Sequence, residues 1–451
     1  MKPRLTSSWL VLLILSIFNA RQAAGLAQGV SFTTNAYSVG GNPTCVVAAD
    51  ANGDGKLDLI SANYAGGILK LLTNNGNGGF GYNATFAVGQ GPACVIAADV
   101  NGDGKFDLIS ANFGPPTIST NTLTILTNNG SGVFGSNATL RVGKAPFCVV
   151  AADIDGDGKL DLISANRGDG TLTVLTNNGS GVFGSNATLN VGTVPAWVVA
   201  ADLNGDRSVD LVAANYTKKP SGFGNTLTVW TNNGNGVFGS NATLAVGSGP
   251  FRVAVADVNG DGKPDLISAN YVGRTLTVLT NNGSGVFGFN DTLAVGTNVE
   301  CVAVADVNGD GYPDLISANS GENTLTVLTN NGNGIFGFNV TLFVGNGPAY
   351  SVVADVNNDG KLDLISADNS SSTLTVLINT TIFPGPLLNI VSTADQQVTL
   401  SWPATTTNWT LESITNLSTT NWIAVTNVTS IAGSVTLSNT LPSVFFRLKT
   451  Q

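Results

Sequence analysis

The 451-residue chain contains no histidine. That absence removes the commonest general base and the usual catalytic triads. Cysteine is scarce: only Cys45, Cys94, Cys148 and Cys301 are present, and their spacing fits no zinc motif. Free buried thiols are expected, with a disulfide open to neighbouring pairs after export, if their Cα atoms lie within about 7 Å. Charged residues make up 11% of the chain, and its 19 Lys and Arg are dispersed without a basic run. Nucleic-acid binding is therefore not expected. After the first 27 residues no apolar stretch is long enough to span a bilayer.

Against this background one acidic loop recurs seven times. It begins at Asp50, Asp99, Asp153, Asp202, Asp257, Asp306 and Asp355, at intervals of 49, 54, 49, 55, 49 and 49 residues. Position 3 is Asn52, Asn101, Asp155, Asn204, Asn259, Asn308 or Asn357. Position 5 is Asp54, Asp103, Asp157, Asp206, Asp261, Asp310 or Asp359. Position 9 is Asp58, Asp107, Asp161, Asp210, Asp265, Asp314 or Asp363. Position 7 would add a backbone carbonyl, from Lys56, Lys105, Lys159, Ser208, Lys263, Tyr312 or Lys361.

This many oxygen donors, several of them anionic, suit a hard cation with six to eight ligands. The donor set points to Ca²⁺, up to seven ions, rather than Zn²⁺ or Mg²⁺. Glycine at position 6, Gly55 in the first loop, permits a sharp bend at positive φ. The loop starts like an EF-hand but lacks the Glu at position 12, where Ser or Ala stands. Its flanks are short apolar runs that read as strands, and Asp at position 9 replaces the missing Glu.

All but seven of the 29 acidic residues lie in these loops. The exceptions are Asp169, Asp291, Glu300, Glu322, Asp368, Asp395 and Glu412. The net charge of −10 is thus a property of the metal-free chain. Metal binding is expected to be coupled to folding, because clustered carboxylates repel one another. The sites are expected to be structural. The fourth loop carries Arg207 at position 6 and is expected to be the weakest site. Asn358 at position 4 of the seventh is a smaller departure, since Asn tolerates left-handed backbone.

A period of about 50 residues calls for a propeller or a solenoid. Each repeat reads as four strands. In the fifth these are Val253–Ala256, Leu266–Asn270, Thr275–Thr280 and Val286–Val295. Four antiparallel strands per unit is the plan of a propeller blade. The last repeat stops after its third strand, and residues 30–40 match the missing fourth. The fold class expected is all-β: a seven-bladed β-propeller closed by an N-terminal strand, followed by a small β-sandwich.

A Phe-Gly pair stands at Phe80-Gly81, Phe134-Gly135, Phe183-Gly184, Phe238-Gly239, Phe287-Gly288 and Phe336-Gly337. A Gly-Pro pair survives at Gly91-Pro92, Gly249-Pro250 and Gly347-Pro348. With these marks the chain resembles the FG-GAP, or VCBS, repeats of integrin-α-type seven-bladed propellers. The resemblance covers about residues 28–380. It implies Ca²⁺ in the loops and a propeller engaged in extracellular recognition.

Residues 1–27 read as a secretory signal, with Lys2 and Arg4 before the apolar core Trp9–Phe18. Cleavage is expected near Ala24 to Ala27. The protein is expected to be secreted or held at the cell surface, as a monomer. Residues 381–386 read as a linker. Residues 387–451 read as a small β-sandwich that resembles fibronectin-III-like modules of secreted bacterial proteins. Its Trp402, Trp409 and Trp422 are expected mainly in its core, although they have the chemistry to stack on sugars.

Propeller geometry puts the acidic loops and the third turn of each repeat on one face. The opposite face carries the loops that differ between repeats, including residues 113–121 and 216–225. Five residues before each acidic loop stand Cys45, Cys94, Cys148, Trp197, Arg252, Cys301 and Tyr350. Either inter-blade packing or recognition near the central opening accounts for that row. Function is expected on the variable face: recognition of an extracellular protein or glycan. Two other readings stay open. One is a polysaccharide-active enzyme drawing on Glu300, Arg252, Arg274, Lys218 and Lys219. The other is a spacer presenting the C-terminal module. No catalytic constellation is evident, so the protein is not expected to be an enzyme.

Overall fold

The computed structural model describes residues 29–381, apart from 116–119, 192–193, 217 and 220–221. Beyond 381 it describes six strands by their backbone. The signal and residues 382–386 of the linker expected from sequence lie outside the described residues, as do Trp402 and Trp422. Contacts divide the described residues into two units, one ending at Thr381 and one formed by the strands beyond it.

The first unit is a seven-bladed β-propeller. Six blades are four-stranded antiparallel sheets whose strands follow in chain order. Blade one shows the pattern: inner strand Pro43–Ala49, then Asp58–Asn63, Ile68–Asn74 and outer strand Phe80–Ala87. Blade seven combines Pro348–Ala354, Asp363–Asp368 and Thr373–Asn379 with Phe32–Ser38 from the start of the chain. In that last pairing Phe32 lies opposite Asn379 and Ser38 opposite Thr373. The inner strands of neighbouring blades lie side by side all the way round, blade seven against blade one included.

The strands follow from composition. The second strand, DLISAN in five blades, is buried along its whole length, as a run flanked on both faces should be. The third strand, typified by TLTVLTN, buries Leu and Val and pairs with both neighbours. The outer strand is largely exposed and carries the polar residues. Inner strands are longer than the sequence suggests. In blade five the strand is Pro250–Ala256, because Pro at the first residue of a strand costs no ladder donor.

The C-terminal unit holds two three-stranded sheets. One orders Asn389–Thr393, Gln397–Ser401 and Ser434–Ser438; the other orders Ile423–Ala424, Trp409–Ile414 and Phe445–Thr450. No helix among the described residues is long and apolar enough to cross a membrane.

Candidate functional site

The acidic loops join inner and second strands, all on one face. Each is held by its own carboxylates. Asp50 accepts hydrogen bonds from the backbone N–H groups of Gly53, Asp54 and Gly55, at 2.7, 3.2 and 2.9 Å. Asn52 accepts from Asp54 N–H, and Asp54 accepts from Lys56 N–H. Gly53 and Gly55 both have positive φ, 77° and 81°. Loop four keeps this pattern although Arg207 sits at φ 71°: its N–H still reaches Asp202 at 2.8 Å. Asn358 takes φ 58° in loop seven. Lys at position 7 forms exposed ion pairs with position 5 in five loops, as Lys159 does with Asp157 at 2.8 Å.

Position 9 is different. Asp58, Asp107, Asp161, Asp210, Asp265, Asp314 and Asp363 are fully buried. Asp58 takes N–H of Ala51 on one oxygen and N–H of Asn74 on the other, at 3.2 and 2.9 Å. Burial raises the pKa of all seven, to about 7 for Asp314 and about 6 for Asp363; the two backbone donors pull the other way and are outweighed. A cation bound among these oxygens would favour the ionised form.

The third loop gives the best test of whether an ion fits. Carboxylate oxygens of Asp153, Asp155 and Asp161 lie within 4.8 Å of one another. One Asp155 oxygen, Oδ1, is buried without a hydrogen-bond partner among the described residues. Three convergent carboxylates and an orphaned buried oxygen match a hard cation. Position 9 thus has two roles: it converges with the other carboxylates in the third loop, and it anchors backbone N–H groups in each blade.

The residue that ties these loops into a ring was read from sequence only as part of a turn. The third strand ends in Asn74, Asn128, Asn177, Asn232, Asn281, Asn330 or Asn379. Each donates its side-chain amide to the carbonyl of loop position 2 in the preceding blade, over 2.7–2.9 Å. Each backbone N–H also meets position 9 of its own blade. The presence of this Asn at the end of all seven third strands was the available signal.

On the opposite face the chain stops repeating itself. The row expected either to pack or to recognise is packed. Cys45, Cys94, Cys148, Trp197, Arg252 and Cys301 are buried. Trp197 of blade four meets Tyr350 of blade seven across the axis, ring centres 5.7 Å apart. The Arg252 guanidinium lies 4.6 Å from both ring centres and donates to the carbonyls of Glu300, at 3.0 Å, and Ala349. Cys45 and Cys94 sulfurs are 4.0 Å apart, and all four thiols are free. Burial raises the pKa of Cys45 and Cys301.

Nearer the solvent lies a second aromatic layer. Phe147 packs edge-on against Phe113 and Phe251, and Tyr216 against Phe251 and Tyr271. The Arg167 guanidinium stands among them, 4.8 Å from the Tyr216 ring centre, 5.2 Å from Phe147 and 5.6 Å from Phe251. Partial burial lowers its pKa. An open depression of about 470 Å³ adjoins it, lined by Asn42, Thr44, Tyr64, Phe113, Phe147 and Asn369, among others. Of the residues weighed for catalysis, Arg252 is enclosed, Arg274 is exposed, and Lys218 and Lys219 pair as backbone with Phe223 and Gly222. Glu300 is half-buried, and burial raises its pKa.

A family model described as FG-GAP-like repeat matches six overlapping stretches: residues 50–110, 99–164, 153–213, 209–268, 257–317 and 306–366. The chain belongs to the FG-GAP-like repeat family. None of the curated proteins matches it. Among solved structures, the FG-GAP repeat chain is similar in fold to BBS1N, solved in complex with ARL6DN. The TM-score is 0.56 at 13% identity, over 79% of this chain and 99% of that one. It is also similar to hydrazine synthase of Kuenenia stuttgartiensis, with TM-score 0.54 and 15% identity over 76% and 97% of the two chains. Virginiamycin B lyase from Staphylococcus aureus gives 0.52 and 14%, over 77% and 99%. At these identities the likeness is one of fold. An FG-GAP repeat propeller is a scaffold for recognition, and enzymes share the architecture.

Proposed function

We propose that this protein is a secreted, calcium-stabilised propeller that recognises an extracellular protein or glycan through the face opposite its acidic loops. The observation that carries this reading is the division of labour between the faces. On one, seven nearly identical loops are pinned by the same hydrogen bond, from the position-5 N–H to the position-1 carboxylate. On the other, equivalent positions after the second strand hold Tyr64, Phe113, Arg167, Tyr216, Tyr271, Ser320 and Asn369. A rigid frame with one divergent face is how binding surfaces are built.

Calcium would sit among positions 1, 3 and 5, with the position-7 carbonyl and the position-9 carboxylate completing the set. It would supply positive charge where the carboxylates crowd, holding each loop closed. The pairing of Phe32–Ser38 with blade seven supports closure of the ring by the N-terminal strand. The two C-terminal sheets suit the small sandwich expected from sequence. Residues 1–27 support export, and extracellular calcium is plentiful enough for weak sites.

The test has two arms. Chelation of calcium should lower the melting temperature; an unchanged value would sink the metal assignment. The calcium-loaded full chain should bind members of an array of extracellular proteins and glycans. Binding that survives substitutions on the variable face would refute the assignment of function to that face.

A further inference from the structure

We propose that the Arg167 depression binds an acidic sugar residue, with the sugar's carboxylate on the Arg167 guanidinium. This rests on the reading of the variable face as the recognition surface and names the ligand chemistry there.

The argument starts from Arg167. Its charge is set among three aromatic rings. Rings attract the cation but accept no strong hydrogen bonds from its five N–H groups. Among the described residues no side chain or carbonyl accepts from the Arg167 guanidinium, and no ion pair includes it. Glu300, on the same face, affects it only at longer range. Arg252 is the contrast: its guanidinium also lies against rings, yet it donates to two backbone carbonyls and is enclosed. Arg167 is half-buried and opens to the depression, so its donors remain for a ligand. A carboxylate is the partner that guanidinium geometry takes in a bidentate way.

The rest of the depression selects among carboxylates. Tyr64, Phe113 and Phe147 offer apolar faces. Asn42 and Asn369 offer hydrogen bonds along the wall, whereas the Thr44 hydroxyl already donates to the Pro92 carbonyl at 3.0 Å and can only accept from a ligand. The Asn42 side-chain amide donates to Asn369 Oδ1 at 3.4 Å, which leaves the Asn369 amide donors and Asn42 Oδ1 for hydroxyls; the Asn42 backbone carbonyl already accepts from Tyr64 N–H. A sugar acid combines one carboxylate, an apolar C–H face and several hydroxyls. Benzoate lacks the hydroxyls and inorganic phosphate lacks the apolar face. A volume of about 470 Å³ lies in the range of small-ligand sites and suits one or two sugar rings.

Calorimetric titration of the calcium-loaded full chain tests this. The probes are a glucuronate-terminated trisaccharide, its carboxyl-reduced neutral counterpart, benzoate and inorganic phosphate. The glucuronate probe should bind at least tenfold more tightly than each of the other three. Arg167→Gln should weaken it by at least tenfold while leaving the melting temperature within a few degrees. Equal binding of the neutral probe, or full binding by Arg167→Gln, would overturn the carboxylate assignment. Benzoate or phosphate binding as well as the sugar acid would overturn the sugar assignment. Binding of no probe would overturn the site itself, while array binding to the same face would still stand. The comparison of charged and reduced sugar needs only the native chain, so it decides even if the variant fails to fold.

Discussion

The side-chain amide of Asn128 in blade two donates to the carbonyl of Ala51 in the acidic loop of blade one, at 2.9 Å. Ala51 is buried, so its carbonyl has no solvent to turn to. The same bond runs from blade one back to blade seven, Asn74 to Val356 O at 2.7 Å, which completes the circuit. Each loop is therefore fixed twice, by its own carboxylates and by the next blade.

Cutting one link should be measurable. Asn177→Ala removes amide bonds to Val100 O and Leu160 O and leaves both carbonyls unpaired. A loss of about 1–3 kcal/mol is expected, the cost of leaving a buried group unsatisfied. Urea unfolding with an unchanged m-value would show it. An exposed neighbour, Asn178→Ala, should cost less than half as much.

The buried carboxyls set a pH dependence whose sign can be worked out. Asp314 and Asp363 have folded pKa values of about 7 and about 6, against an ordinary 3.8. Between pH 4 and 7 the folded chain therefore holds protons that the unfolded chain has released. Stability must fall as pH rises through that window. Asp157 and Asp206, held low by hydrogen bonds, act in the opposite sense but are exposed. In chelator the melting temperature should decline from pH 4.5 to 7.5. At the proposed sites millimolar calcium would favour the ionised form, so it should flatten or reverse the decline. A rise with pH in chelator would contradict the assignment.

Loop four carries a conformational cost. Arg207 holds a left-handed backbone, φ 71°, where six other loops have glycine. A side chain there costs about 1–2 kcal/mol. Arg207→Gly should therefore stabilise the protein by about 1 kcal/mol, read from denaturant midpoints. It should also remove a cation from the loop and raise its calcium affinity, read by calorimetry. A destabilised variant would mean that the Arg207 side chain makes a compensating contact.

The axial thiols should be silent. Cys45, Cys94, Cys148 and Cys301 are at most 2% exposed, and burial disfavours the thiolate of Cys45 and Cys301. A thiol reagent should label none of them in the native protein and all four in guanidinium. Fast labelling of the native chain would mean that the axis opens.

By itself the sequence determined what repeats. The 49-residue step, the Asp and Asn spacing and the apolar runs fix the strands, the loops and the blade. These depend on neighbours in the chain, and strand alternation is a local property. Residues 30–40 carry the outer-strand pattern, and Phe32–Ser38 pairs with Thr373–Asn379 of blade seven. What only the tertiary structure decided lies between blades. Trp197 and Tyr350 are 153 positions apart and touch because the ring closes. That contact turned a row open to two readings into axial packing. Arg167 drew no notice as one residue among divergent loops. It gains its setting from Phe147, Tyr216 and Phe251 on three blades. The strand-end asparagines looked like turn residues, yet their partners sit one blade back. Periodicity specifies a blade; the curvature that brings seven of them round an axis chooses which side chains meet.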